Sequence, residues 1–193
     1  IAPKKRASQT FLHPDRLHSM TFPEGLKTIG GEAFRESGVE SITLPNGIKL
    51  IEGRAFYLCQ DLREVRSHGS AGQETEGVMN GGVFQYCPKL SVVEFPESLE
   101  SLGQTLFSGV VNLESVTLGK NLKKMAFNAL GNSMVKLLTV KTATPPALQT
   151  YSLPQQVERV LVPKGALQAY NQSVGNASLR SSWGILTEKM EEL

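Results

Sequence analysis

Three histidines, two cysteines and one serine flanked by glycines are the side chains in this sequence whose chemistry could serve metal binding, proton transfer or nucleophilic attack. His13, His18 and His68 share no ligand spacing, and neither a cysteine nor an acidic cluster joins them, so the pattern a zinc site requires is missing. The stretch His68-Gly69-Ser70-Ala71-Gly72 superficially resembles a nucleophile motif. That motif needs its serine centred between two glycines on a strand-to-helix turn, and Ser70 fails the spacing and falls in a predicted loop. Asn80-Gly81-Gly82 runs straight into the core residues Val83 and Phe84, so it makes no phosphate cradle after a strand. No catalytic, cofactor or metal residues are assigned, and a non-enzyme is expected.

Cys59 and Cys87 occupy equivalent places in a repeated pattern, described below. Stacked repeats would bring their Cα atoms to about 4.7–4.9 Å, within disulfide reach. The same slot holds Ser37, Val110 and Ser133, so what it requires is a small buried side chain. Free cysteine meets that need as a small hydrophobe. Buried thiols are therefore expected, with a disulfide as the alternative. Asn171-Gln172-Ser173 and Asn176-Ala177-Ser178 match the glycosylation acceptor pattern and are read as a polar loop.

Charge and hydropathy narrow the field further. A formal net charge of +2 with scattered lysine and arginine gives no basic stripe, which disfavours nucleic acid. Lys4-Lys5-Arg6 reads as a solvated tail. No apolar run approaches the roughly 20 residues of a membrane span. The start at Ile1 rather than Met suggests a processed or trimmed product, with any signal peptide or lipid anchor outside the sequence.

What positions these residues is a repeat. Leu17-x-x-Met20-x-Phe22-Pro23 recurs as Val39-x-x-Ile42-x-Leu44-Pro45, Leu90-x-x-Val93-x-Phe95-Pro96, Leu113-x-x-Val116-x-Leu118-Gly119 and Val157-x-x-Val160-x-Val162-Pro163. Degenerate copies start at Leu62 and at Leu137, the latter read as Leu137-x-x-Val140-x-Thr142. A second half follows each copy: Leu26, Ile29, Ala33, Phe34, Ser37, then Ile48, Ile51, Ala55, Phe56, Cys59, with later versions placing Phe84, Phe107 and Leu130 at the phenylalanine position and ending at Cys87, Val110 and Ser133. A period of 20 to 50 residues is the signature of a solenoid. One unit buries too little apolar surface to offset the entropy of ordering its own backbone, so units must stack. Period-two alternation at Ile42-x-Leu44 predicts a short strand, and the second half suits a turn or short helical segment across the back of the coil. Phe34, Phe56, Phe84 and Phe107 are predicted to form one buried stack, with Leu130 in the fifth place.

The unit at 39–59 resembles the BspA-like leucine-rich repeat of bacterial surface proteins, and its Ala-Phe pair separates it from ordinary leucine-rich repeats. The resemblance implies an α/β solenoid, a right-handed superhelix with a short-stranded parallel sheet on the concave face and turns or short helical segments on the convex face. The expected division is an N-terminal tail or cap at 1–16, repeats at 17–163 with about seven strands, and a C-terminal cap at 164–193. The cap would close the core with Trp183, Ile185, Leu186 and Met190. Two departures stand out. A polar, glycine-rich insertion at 67–77 replaces one Leu-Pro step, and the sixth unit runs after Val140 into Pro145-Pro146, read as a specialised final turn.

The resemblance implies a cell-surface or secreted binding module, monomeric, meeting a host matrix or bacterial surface protein. A structural segment of a larger envelope protein is the second reading, and an enzyme inhibitor the third. Strand geometry directs two columns out of the concave sheet: Ser19, Ser41, Glu64, Val92, Ser115, Thr139, Arg159, and Thr21, Thr43, Arg66, Glu94, Thr117, Lys141, Leu161. Ser41, Thr43, Glu64, Arg66, Glu94, Ser115 and Thr117 are the expected partner-binding residues. An Arg66–Glu94 pair is the alternative account of the central charges.

Overall fold

The computed structural model describes residues 18–69, 77–173, 175 and 181–193. The expected tail at 1–16, His13, Ser70 and the acceptor at Asn176 lie outside the described residues. Each turn of the chain carries two short strands. The first turn has β1 (Ser19–Thr21) and β2 (Thr28–Ile29), the second β3 (Ser41–Pro45) and β4 (Leu50–Ile51), and the third β5 (Glu64–His68) and β6 (Gly77–Met79). The fourth has β7 (Val92–Glu94) and β8 (Leu99–Leu102), the fifth β9 (Ser115–Leu118) and β10 (Lys124–Met125), and the sixth β11 (Leu137–Val140) and β12 (Ala147–Leu148). The chain closes with β13 (Arg159–Val162), helix α1 (Leu167–Asn171), a 3-10 helix (Trp183–Lys189) and β14 (Met190–Glu192). Odd-numbered strands and β14 build an eight-stranded sheet, even-numbered strands up to β12 a six-stranded one, and every pairing is parallel.

The solenoid expected from the repeat is therefore present, with a second parallel sheet on its back where a turn or short helical segment was expected. Two ladder residues per turn suffice there because the chain bends immediately afterwards. The bend is an arc with two left-handed positions. Glu32, Arg54, Gly82, Thr105, Asn128 and Tyr151 hold the first, and Glu36, Leu58, Tyr86 and Gly109 the second, all at φ between 49° and 76°. Between them the Ala-Phe pair dips into the core and its backbone bonds the next turn, as in Phe34 N–H to Ala55 O at 2.8 Å and Phe56 N–H to Val83 O at 3.0 Å.

Those phenylalanines form the predicted column. Phe34, Phe56, Phe84 and Phe107 are buried and stack in sequence with centroid separations of 5.1, 5.7 and 5.8 Å and interplanar angles of 8–14°. Buried Leu130 follows, and Leu153, also buried, takes a sixth place. At the C-terminal end the Trp183 indole donates to Pro146 O at 2.8 Å, the Tyr170 hydroxyl donates to Thr142 O at 2.8 Å, and the two rings meet edge-on at 5.3 Å. Trp183, Leu186 and Met190 are buried over the last turn, with Ile185 packed partly against it.

Two readings of the sequence need correction. The sixth unit starts at Val135 rather than Leu137: Leu138 pairs with Val116 and Val140 with Leu118, and Val135, Leu138 and Val140 are fully buried. Two adjacent leucines at 137 and 138 let the pattern match two residues late. The insertion also begins later than position 67. Ser67 pairs with Leu44 and His68 with Pro45, so the ladder continues through residues assigned to a loop, because backbone pairing needs no apolar side chain.

The fourth turn reaches across the third to the second. Asn46 makes this crossing. Its backbone N–H bonds His68 O at 2.7 Å and its Nδ2 bonds Gly69 O at 2.9 Å, both in the third turn. Its Oδ1 accepts from Glu97 N–H at 2.8 Å and its carbonyl from Ser98 N–H at 3.2 Å, both in the fourth. The Ser98 hydroxyl adds a bond to Ile48 O at 2.7 Å.

Candidate partner-binding face

The expected site residues come together on the outer face of the eight-stranded sheet. Parallel pairing sets Ser41 beside Glu64, Glu64 beside Val92 and Val92 beside Ser115. One step along, Thr43 stands beside Arg66, and Glu94 beside Thr117. In the sixth turn Leu137 faces Ser115 and Thr139 faces Thr117. Thr139 therefore belongs to the second column, and Lys141 lies a step beyond it, contrary to the expected columns. From β1 to β14 no residue of these two outward columns is buried, although Pro45, at the end of β3, is.

Arg66 does not pair with Glu94. Its guanidinium donates to Glu64 on the same strand. Glu94 instead bonds Lys141 at 3.0 Å, the pair passing over Thr117 on the intervening strand. At the far end Arg159 holds Glu191 through two bonds of 3.2 and 2.8 Å, which keeps the Glu191 carboxyl below its ordinary range. Three charge pairs thus cross a face otherwise built of serine, threonine and half-buried Val92, Leu137 and Leu161. Glu191 escaped the sequence reading because β14 follows no repeat. Lys141 was noticed but placed in the wrong column.

Side chains with reactive chemistry have structural partners. His18 bonds Glu40 at 3.0 Å and the His68 imidazole bonds Phe22 O at 2.7 Å. Cys59 and Cys87 are free, buried thiols that donate to Phe34 O and Phe56 O, each at 3.1 Å. The neighbouring Cys59 thiol and burial hold the Cys87 thiol far above its ordinary range. Among the described residues no group of three or more His, Cys, Asp or Glu could hold a metal ion, and no helix is long and apolar enough to cross a membrane.

A family model described as the BspA type leucine rich repeat region matches in six copies, over residues 4–136 and 78–180. No curated protein matches the chain. Among solved structures it is similar to a leucine rich cell surface protein from Faecalibacterium prausnitzii A2-165, with 16% identity, a TM-score of 0.41, and coverage of 79% of this chain and 45% of that one. It is similar also to the pneumococcal vaccine antigen PcpA, at 20% identity and a TM-score of 0.44, covering 81% of this chain and 57% of that one. A leucine-rich repeat protein from Bacteroides ovatus ATCC 8483 aligns at 20% identity and a TM-score of 0.37, covering 74% and 42%. The chain spans about half the length of these proteins.

Proposed function

The chain belongs to the BspA-type leucine-rich repeat family, and from that membership we propose that it is a non-enzymatic binding module of a bacterial surface or secreted protein. Its partner is a protein, from host matrix or from another bacterial surface, and it docks on the open face of the eight-stranded sheet. The observation that carries this reading is a face eight strands wide whose two outward columns hold no buried residue. The hydroxyls of Ser41, Thr43, Ser115 and Thr117 can both donate and accept, and Glu64, Arg66 and Glu94 can exchange their present partners for groups on an incoming protein. Exposed ion pairs contribute only about 0–1 kcal/mol to folding, so such exchange is cheap. It also favours specificity and fast encounter over raw affinity.

The test is surface-plasmon binding of the folded chain to a panel of purified matrix proteins and to proteins isolated from bacterial envelopes. Arg66→Glu and Glu94→Lys should leave the melting temperature nearly unchanged and weaken binding about tenfold or more. Normal binding by both variants would remove this face from the account.

A further inference from the structure

Apart from Leu193, which follows β14 at the edge of the eight-stranded sheet, the exposed large apolar side chains lie off that sheet's outer face. Among the described residues they are Tyr86, Phe127 and Tyr151 on the arc, Val111 and Met134 just beyond it, Val78 on the six-stranded sheet and Leu193 at the end of the chain. The arc does not need these rings for its core. At the position two residues after the column phenylalanine other turns use Glu36 or Gly109, and Tyr86, left-handed at φ 57°, is 46% exposed there.

The rings come as two pairs in neighbouring turns. Tyr57 and Tyr86 meet edge-on at 5.6 Å, and Phe127 and Tyr151 at 6.1 Å. Gly109 leaves space for the first pair, since a Cβ there would come within 2.5 Å of Tyr86 Cδ1. Each pair also has an amide beside it. Gln60 Nε2 donates to Tyr86 O at 3.4 Å, and Gln149 Oε1 accepts from Phe127 N–H at 2.9 Å. In each case the amide fixes the backbone under an exposed ring with one polar atom. Gln60 Oε1 and Gln149 Nε2 make no hydrogen bond among the described residues. Nearby ionised groups are matched: Arg35 bonds Glu32 and Glu36, Arg54 pairs with Glu32 at 3.9 Å, their guanidinium groups lie 5.2 and 5.5 Å from the Tyr57 centroid, and Lys89 bonds Asp61 at 2.6 Å.

We propose that this arc is a binding surface for a neutral, linear polysaccharide. Sugar rings present C–H faces that pack on aromatic side chains, and hydroxyls that donate to Gln60 Oε1 and accept from Gln149 Nε2. Matched charges make the surface complementary to an uncharged ligand rather than to a sulfated one. Turns recur every ~4.7–4.9 Å, close to the length of one sugar residue, so a chain lying along the stack meets successive turns in step. The inference rests on the arc alone and is independent of the protein partner proposed for the sheet.

The test is native-gel affinity electrophoresis of the full chain in hydroxyethyl cellulose, dextran, mannan and dextran sulfate. At least one of the three neutral polymers should retard the chain, with no weakening as salt is raised. A variant carrying Tyr86→Leu and Phe127→Leu keeps apolar bulk but loses one ring of each pair. Its affinity should fall about tenfold or more while its melting temperature stays close to the parent's. Arg66→Glu should be retarded like the parent. The proposal fails if no neutral polymer retards the chain, if only dextran sulfate does so, or if the double variant binds undiminished.

Discussion

Asn46 joins three turns with one side chain and its own backbone, and all four of its hydrogen-bonding groups are used. Removing its amide deletes both side-chain bonds; Gly69 is exposed and Glu97 half-buried, so water takes up part of the loss, and each bond contributes a net of about 0.5–1.5 kcal/mol. Asn46→Ala should therefore lower stability by roughly 1–3 kcal/mol in urea denaturation, and a loss too small to resolve would contradict the bridging role. The thiols make a second prediction at this scale. Both thiols are fully buried, out of a reagent's reach, and the neighbouring Cys59 together with burial also raises the Cys87 thiol above its ordinary range. Ellman's reagent at pH 8 should find no reactive thiol in the folded protein and both in denaturant. Absence of free thiol in denaturant would show a disulfide. The buried slot was legible in the sequence because Ser37, Val110 and Ser133 recur there. The role of Asn46 was not, because its bonds to Glu97 and Ser98 span about fifty residues and occur in a single turn.

At the level of elements, the repeat spelled out the strands of the larger sheet and the phenylalanine column. It did not reveal the six-stranded sheet, whose strands are mostly two residues long and carry no alternation of their own. Nor did it reveal β14, which joins the large sheet after the last repeat. Both arise from backbone pairing that stacking makes available to almost any side chain. Phe56→Ala removes a ring from the middle of the column and should cost ~3–5 kcal/mol; a melting temperature within a degree or two of the parent would refute the register. The arc offers a paired comparison. Gly109→Ala puts a Cβ at φ 76°, 2.5 Å from the Tyr86 ring, and should destabilise by about 1–3 kcal/mol. Glu36→Gly, in the same column, relieves a left-handed residue worth roughly 1–2 kcal/mol of strain, which largely offsets the greater freedom of glycine in the unfolded chain. It should change stability by less than about 1 kcal/mol.

As a whole, the chain offers two unlike surfaces around one core: a sheet of hydroxyls crossed by charge pairs, and an arc set with exposed rings. The sheet was readable as a candidate site because strand parity sorts inward from outward residues. Its actual ion pairs were not readable, since they depend on rotamers and on a register that slipped by two residues in the sixth turn. Carboxyl footprinting, with and without the protein partner identified by surface-plasmon binding, separates the two surfaces in one experiment, because each carries glutamates. Glu64 and Glu94 mark the sheet, Glu32 and Glu36 the arc. On partner binding, carbodiimide labelling of Glu64 and Glu94 should fall sharply while that of Glu32 and Glu36 stays unchanged. Protection of Glu32 and Glu36, with Glu64 and Glu94 labelled as in the free chain, would contradict docking on the sheet.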